Sequence, residues 1–164
     1  MKKILFHSLT IPPDKVSTGM LVAEIASGFN DRGVDVEILA STPQYNFDSN
    51  IDNKVELKKI SKTIFESSYK GVRVVHISSK QRSYSDSIRI FQWLKFHYHS
   101  IKYLFKNRSD YSHIFLFSYP PTMNIIAIFI SKFLKIKLIY SYWELYPEIA
   151  EKINRIKNKL FLSL

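Results

Sequence analysis

The residues best suited to chemistry lie in short loops that follow apolar, strand-like segments. Glu144 and Glu148 come directly after the apolar segment 137–141, where a carboxylate can accept hydrogen bonds from ligand hydroxyl groups or act as a base. Glu148 can equally serve as a first-turn acid that complements the dipole of a following helix. Gly19 could let the backbone approach a ligand such as a phosphate, or it could be a simple helix-start glycine. Both pairs of interpretations stay open at this point.

Several common kinds of chemistry are excluded by what the sequence lacks. The chain has 164 residues and no cysteine, which excludes a disulfide scaffold, a thiol nucleophile and thiolate metal sites. It contains neither Gly-x-Gly-x-x-Gly nor the Walker lysine motif, which disfavours dinucleotide oxidoreductases and P-loop enzymes. His97 and His99 point in different directions from a predicted helix and are interpreted as surface histidines. We therefore expect neither a metal ion nor a cofactor.

The elements that position these residues follow an alternating pattern. Longer segments of helical period alternate with five short segments of strand character, at residues 3–8, 34–40, 72–77, 113–118 and 137–141. This alternation predicts an α/β fold, with a doubly wound, mainly parallel, Rossmann-like sheet and helices on both faces. Loops at the carboxyl ends of such strands are where these folds bind ligands.

Two further segments carry predictions of their own. The segment from Met123 to about residue 134 is apolar on nearly all sides, which predicts a buried helix. Residues 41–70 give no clear pattern apart from a polar loop at about 41–53.

The predicted helix at residues 87–106 has three faces when its residues are placed at intervals of about 100°. The predicted core stripe consists of five apolar residues, Phe91, Leu94, Tyr98, Ile101 and Phe105. A basic stripe lies beside it and consists of Lys95, His99, Lys102 and Lys106. Three rings are predicted to point away from the core, those of Trp93, Phe96 and Tyr103. Outward rings beside lysines are typical of an interfacial membrane surface, and an ordinary solvated face is an equally good interpretation.

The net charge of +10 predicts attraction to polyanions. Charge alone does not choose among nucleic acid, anionic lipid and phosphorylated substrates. We expect no nucleic acid, because no known DNA- or RNA-binding module is visible and single-strand readers usually display their aromatic residues on strands. The most apolar window, residues 125–130, is too short to span a bilayer, and the cysteine-free composition fits the cytoplasm.

Four short motifs follow one another along the chain. They are Ile-Pro-Pro-Asp at 11–14 followed by Gly19, Arg-Gly-Val-Asp-Val at 32–36, Ser-Tyr-Pro-Pro at 118–121 and Glu-Leu-Tyr-Pro-Glu at 144–148. In order and spacing they resemble retaining glycosyltransferases of family 4, whose motifs are Phe-Pro-Pro-Glu with Gly-Gly, Arg-Gly-His-Glu-Val, Ser-x-Pro-Pro and Asp-Leu-Trp-Pro-Glu. The resemblance covers nearly the whole chain and is closest to the subgroup that builds O-antigen and colanic-acid-like polysaccharides. One glycine replaces the usual pair, and Glu144 and Tyr146 replace Asp and Trp.

The resemblance implies that residues 1–164 are the N-terminal, acceptor-side half of a two-domain GT-B glycosyltransferase, truncated at its C-terminal end. The implied reaction moves a sugar from a nucleotide-sugar donor to a lipid-linked glycan acceptor, with retention and without a metal ion. Nothing here corresponds to the family's donor-binding domain, so the nucleotide sugar would bind mainly through a missing C-terminal domain or a partner chain. The implied substrate-binding residues are Pro13, Lys15, Ser17, Gly19, Ser118, Tyr119, Thr122, Glu144 and Glu148.

We assign no catalytic residue, since retaining enzymes of this kind rely on positioning and on the donor's own phosphate. The predicted location is the inner face of the plasma membrane, through contact of an anionic membrane surface with Trp93, Lys95, Phe96, Lys102, Tyr103 and Lys106. Two alternatives remain. One is a non-catalytic membrane-docking subunit of a split glycosyltransferase, and the other is an anion-binding α/β module unrelated to sugars.

Overall fold

One sheet organises the part of the chain that the computed structural model describes, which is residues 2–45, 56–81 and 83–143. Its seven strands are β1 (Lys3–His7), β2 (Val36–Ser41), β3 (Lys58–Lys59), β4 (Ile64–Tyr69), β5 (Val72–Ile77), β6 (Tyr111–Phe117) and β7 (Lys137–Ser141). They lie in the order β3-β4-β5-β2-β1-β6-β7. Neighbouring strands from β5 to β7 are parallel, and β3 and β4 add an antiparallel edge. The predicted mainly parallel α/β fold is confirmed.

Helices cover both faces of this sheet. They are α1 (Ser17–Asn30), α2 (Asp86–Lys106) and α3 (Met123–Phe129), and α3 continues as a π-helical turn at Ile130–Leu134. The helix α1 contributes Val22 and Ala26 to a core cluster on one face. On the opposite face, α2 contributes Phe96 and Leu104, and α3 contributes Met123, to a second cluster. The two helices that follow β5 and β6 therefore share one layer.

The predicted strands match the structure closely, except in the segment that gave no pattern. β5 and β7 have the predicted bounds, β1 ends one residue early, and β2 and β6 differ from the prediction by one or two residues at each end. The unpredicted β4 pairs with β5 through a tight turn in which Lys70 and Gly71 have φ of 45° and 80°. Positive φ at both central residues is the geometry that matches the twist of an antiparallel hairpin. Most of the predicted loop at 41–53 lies outside the described residues.

The predicted core stripe of α2 is wrong, because the helix buries the opposite face. Phe91, Leu94, Tyr98 and Phe105 are exposed, and Ile101 is only partly buried against the core. The buried residues are Phe96, His97, Ser100 and Leu104. The surface interpretation of His97 is therefore wrong as well.

The helix α3 is not buried on all sides. Met123 and Ile126 pack against the sheet, whereas Ile125 and Ile128 are about half exposed. Phe133, in the π-helical turn, is also exposed. A helix that packs on one face of a sheet leaves its far side uncovered unless another element covers it. Within the described residues, no helix is both long enough and apolar enough to cross a bilayer.

Candidate functional site

The sheet has a topological switch point between β1 and β6. From β1 the chain proceeds to β2 and then β5 on one side, and it later returns to β6 and β7 on the other side. In open α/β sheets, ligands bind in the crevice outside the carboxyl ends of the strands at such a point. The loops that flank this crevice are residues 8–16, which follow β1, and residues 118–122, which follow β6.

The predicted site residues that the structure describes lie at this edge. Pro13 and Lys15 belong to the first loop, Ser17 and Gly19 begin α1, and the second loop contains Ser118, Tyr119 and Thr122. Each loop contains one cis prolyl peptide bond. The other two predicted residues, Glu144 and Glu148, lie outside the described residues.

Gly19 has a packing role that the sequence did not indicate. A Cβ atom at this position would lie 2.7 Å from the backbone oxygen of Thr10 and 2.8 Å from its carbonyl carbon. Real Cβ atoms do not approach backbone atoms so closely, so the first turn of α1 can contact the β1 loop only because residue 19 is glycine. Close contact with the protein's own loop is thus sufficient reason for this glycine.

Ser118 ties the switch-point loop to the exit of β7. Its backbone N–H donates to the carbonyl oxygen of Ser141 at 3.2 Å, and its hydroxyl accepts from the backbone N–H of Trp143 at 3.1 Å. The residue is buried. Ser118 therefore shapes this edge of the sheet, and the more exposed Tyr119 and Thr122 are better placed to contact a ligand.

Asp14 is a central residue of this edge that sequence reasoning did not select. Its side chain is buried, and Oδ1 accepts hydrogen bonds of 2.8 Å from the backbone N–H groups of Gln44 and Tyr45. Burial raises the pKa of Asp14 to about 6, although the two backbone donors act in the opposite direction. Asp14 thereby joins the loop after β1 to the loop after β2. An acid directly after two prolines was the available signal.

Contacts between side chains join these loops to α2. The hydroxyls of Tyr45 and Tyr119 lie 3.3 Å apart, and the ring of Trp93 packs edge-on against Tyr119 with centroids 6.3 Å apart. Nε2 of His97 lies 2.7 Å from the hydroxyl oxygen of Thr122. Burial lowers the pKa of His97 to about 4, so the imidazole is neutral near neutral pH and can orient the Thr122 hydroxyl.

A second buried histidine lies beneath the crevice. His7 ends β1, is fully buried and packs against the ring of Phe96 at 5.5 Å. Burial, with a smaller contribution from His97, lowers the pKa of His7 to about 3. Neither ring nitrogen of His7 has a hydrogen-bond partner among the described residues, and the same holds for Nδ1 of His97 and for the hydroxyl of Ser100. Buried polar groups without a partner are rare in folded proteins, so this cluster calls for a physical explanation such as ordered water or a functional role.

No family model matches the chain, and no curated protein matches it either. In the described part of the chain, no three His, Asp or Glu side chains come together in a way that could hold a metal ion. The crevice must therefore be interpreted from its own chemistry. The partly exposed residues Tyr119 and Thr122 flank it, and their hydroxyls can hydrogen-bond to a polyhydroxylated ligand.

The three rings predicted to contact a membrane do not form an outward face. Phe96 is buried, and Trp93 and Tyr103 pack against the core. The Tyr103 hydroxyl donates to Glu37 at 2.9 Å, which explains why this face of α2 turns inward. The three lysines of that prediction, Lys95, Lys102 and Lys106, are exposed.

The carboxylate that holds Tyr103 lies at the amino edge of the sheet, away from the crevice. Glu37 is buried and also accepts hydrogen bonds from Tyr111 and, at 2.6 Å, from Arg73. Burial alone would raise the pKa of Glu37, but the hydrogen bonds from Tyr111, Tyr103 and Arg73 hold it below its usual value. Both carboxylate oxygens are satisfied within the protein, so we interpret this cluster as structural. It joins α2 to three strands.

Proposed function

We propose that the chain forms the acceptor-side wall of a retaining glycosyltransferase that extends a lipid-linked glycan in cell-surface polysaccharide synthesis. The observation that carries the proposal is the position of the two Pro-Pro loops. They are about a hundred residues apart in the sequence, yet they flank the crevice at the switch point of the sheet. These are the same loops through which the sequence resembles family 4 glycosyltransferases.

The chemistry of the crevice supports an acceptor rather than a nucleotide. Tyr119 and Thr122 offer hydroxyls, and Lys15 is an exposed cation at the mouth of the first loop. A nucleotide sugar needs several donors for its diphosphate, and the first turn of α1 offers it only free backbone N–H groups. Such a helix end contributes about 0.3–1 kcal/mol, whereas a micromolar complex requires about 8 kcal/mol. We therefore assign the nucleotide sugar to a donor-binding domain or partner chain.

A binding experiment on the whole chain tests the proposal. We expect saturation-transfer NMR to detect binding of alkyl diphosphate-linked mono- to trisaccharides. Thr122→Val and Tyr119→Phe should weaken this binding severalfold. Thr63→Val is the matched control, because Thr63 lies in the β3–β4 connection and β4 is three strands away from β1 in the sheet.

Calorimetric titration with uridine and guanosine diphosphate sugars tests the expectation that this chain does not hold the donor. We expect dissociation constants that are millimolar at best. Micromolar binding of a nucleotide sugar would mean that the donor site is on this chain. Equal loss of glycan binding in Thr63→Val and Thr122→Val would contradict the proposal that the acceptor binds in the crevice.

A further inference from the structure

The outer face of α2 is apolar although it points away from the core. Four side chains form this outer face: Phe91 is 68% exposed, Leu94 46%, Tyr98 63% and Phe105 53%. They recur at intervals of three, four and seven residues, which places them on one side of the helix. The buried side carries Phe96, Ser100 and Leu104. The helix therefore has two apolar faces, and only one of them is buried against the residues that the structure describes.

A row of cations borders the outer face. Lys95, Lys102 and Lys106 are exposed and follow the apolar row along its flank. None of the three has a carboxylate within ion-pair distance in the described residues. Between residues 87 and 143 the sequence has one acid, Asp110, against the bases Arg89, Lys95, Lys102, Lys106, Arg108, Lys132, Lys135 and Lys137. The face is thus positively charged as well as apolar.

Two depressions on this side of the protein combine an apolar floor with paired lysines. A pocket of about 190 Å³ lies between the exit of β5 and α2, where Ile88, Phe91 and Phe96 form the floor and Lys80 and Lys95 the rim. An open groove of about 390 Å³ follows, lined by Tyr98, Ile101, Lys102, Phe105 and Lys106. Apolar surface next to unpaired ammonium groups is complementary to an acyl chain attached to an anionic headgroup.

The charge pattern favours a lipid surface over a protein partner. A partner protein would have to supply carboxylates in register with a single helical row, whereas an anionic leaflet presents negative charge everywhere. A second copy of this chain would bring the same lysines together and repel. Exposed aromatic rings between lysines are also the composition found where helices lie at the headgroup level.

We propose that the outer face of α2 docks on an anionic lipid bilayer, with Phe91, Leu94, Tyr98 and Phe105 at the headgroup level and the lysines on lipid phosphates. The proposal does not depend on sugar transfer. It replaces the sequence-predicted rings with a different set on the opposite side of the same helix.

Vesicle flotation of the intact chain tests the proposal. We expect flotation with vesicles in which roughly one lipid in three is phosphatidylglycerol, and little with pure phosphatidylcholine. Binding should decrease between about 0.1 M and about 1 M salt, since the Debye length falls from about 10 Å to about 3 Å. Phe91→Ser with Tyr98→Ser should weaken binding at least tenfold. Lys95→Gln and Lys102→Gln should each weaken it about fivefold, because a lysine at an anionic surface is worth about 1 kcal/mol.

Matched control variants lie away from α2, on α1 at the other face of the sheet and on the edge strand β3. Met20 and Leu21 on α1 are 53% and 49% exposed, so Met20→Ser with Leu21→Ser removes comparable exposed apolar surface. We expect this pair, and Lys58→Gln with Lys59→Gln, to leave flotation unchanged. A thermal melt checks that each variant remains folded, which is expected because all these side chains are exposed.

A fluorescent reporter distinguishes lipid from other occupants of the face. Wild type already contains Trp93 and Trp143, so the reporter signal is the difference in emission between Phe91→Trp and wild type. Acrylamide should quench this difference signal in solution, and anionic vesicles should shift it to the blue and protect it. If this tryptophan is already protected without vesicles, another part of the chain or a second copy covers the face. That result would overturn the proposal, as would equal loss of flotation in the α1 control pair.

Discussion

Replacing His7 by leucine is expected to remove part of the acid sensitivity of the fold. The ring of His7 is fully buried at the end of β1, and neither nitrogen has a hydrogen-bond partner in the described structure. Its pKa is about 3 in the folded protein, against 6.5 for an unperturbed histidine. Between these two values the unfolded chain binds a proton that the folded chain does not bind. Stability that depends on neutral His7 is therefore lost as the pH falls below 6.5.

The size of the effect follows from the two pKa values. When the pH is lowered from about 8 to about 5, it ends about 1.5 units below the pKa of histidine in the unfolded chain. The free energy of unfolding then falls by about 2 kcal/mol because of His7 alone. For comparison, a typical domain is stabilised by about 5–15 kcal/mol in total. His97, with a pKa of about 4, adds a similar loss over the same interval. Asp14, whose pKa is raised to about 6, acts in the opposite direction.

The difference between wild type and variant isolates His7 from these other groups. Urea unfolding of both proteins at about pH 8 and about pH 5 should show that the stability difference changes by about 2 kcal/mol in favour of His7→Leu at the lower pH. At about pH 8 the variant should be at least as stable as wild type, because two unpaired buried nitrogens are removed. Phe6→Leu, in the same strand, is the control and should change stability equally at both pH values. Parallel pH dependence of His7→Leu and wild type would refute the reasoning.

Three further substitutions test other parts of the structure. Glu37→Gln should cost about 1.5–3 kcal/mol in urea unfolding, because the buried carboxylate is replaced by a weaker acceptor for its tyrosine and arginine donors. Since the pKa of Glu37 is lowered on folding, this loss should be largest above pH 4.5 and should shrink as the pH falls through the folded value. Gly19→Ala should lower stability by about 1–3 kcal/mol, because its Cβ would overlap the backbone of Thr10. Gly28→Ala, whose Cβ would meet only one side-chain atom at 3.4 Å, should instead stabilise α1 by about 1 kcal/mol in a thermal melt.

The parallel strands were predictable because they are short apolar runs between polar loops. The runs at residues 72–77 and 137–141 coincide with β5 and β7. The strand β4 was not predictable, because its sequence Ile-Phe-Glu-Ser-Ser-Tyr has no regular alternation of apolar and polar residues. The turn of Lys70 and Gly71 that joins it to β5 was visible only as a single glycine.

The orientation of α2 could not be predicted from periodicity, because both of its faces are apolar. A hydrophobic pattern identifies such a helix but does not say which face meets the sheet. In the structure, long-range hydrogen bonds accompany the face of α2 that packs against the sheet. Tyr103 hydrogen-bonds to the carboxylate of Glu37, and His97 hydrogen-bonds to Thr122. Neither partner lies near α2 in the sequence. The pairing of these distant residues could not be predicted from the sequence alone.

The candidate site was predictable in its loops but not in its connections. The Pro-Pro motifs indicated residues 11–14 and 118–121, and the structure brings both to the switch point. The side chains that hold these loops were missed, above all Asp14, because its two donors are backbone groups of Gln44 and Tyr45. Almost every residue has a backbone N–H group, so the residue types at 44 and 45 do not reveal that they donate to Asp14.

The two faces of α2 give the helix a role that neither face has alone. Its inner face contacts the second loop of the crevice through Trp93 and His97, which touch Tyr119 and Thr122. Its outer face carries Phe91 and the lysines, with no more than a helix diameter of about 10 Å between the two surfaces. If the outer face docks on a bilayer, the crevice is therefore held at a fixed, short distance from the headgroups. A lipid-linked glycan would then extend its first sugars toward the crevice without leaving the membrane, which is the geometry that an acceptor wall requires.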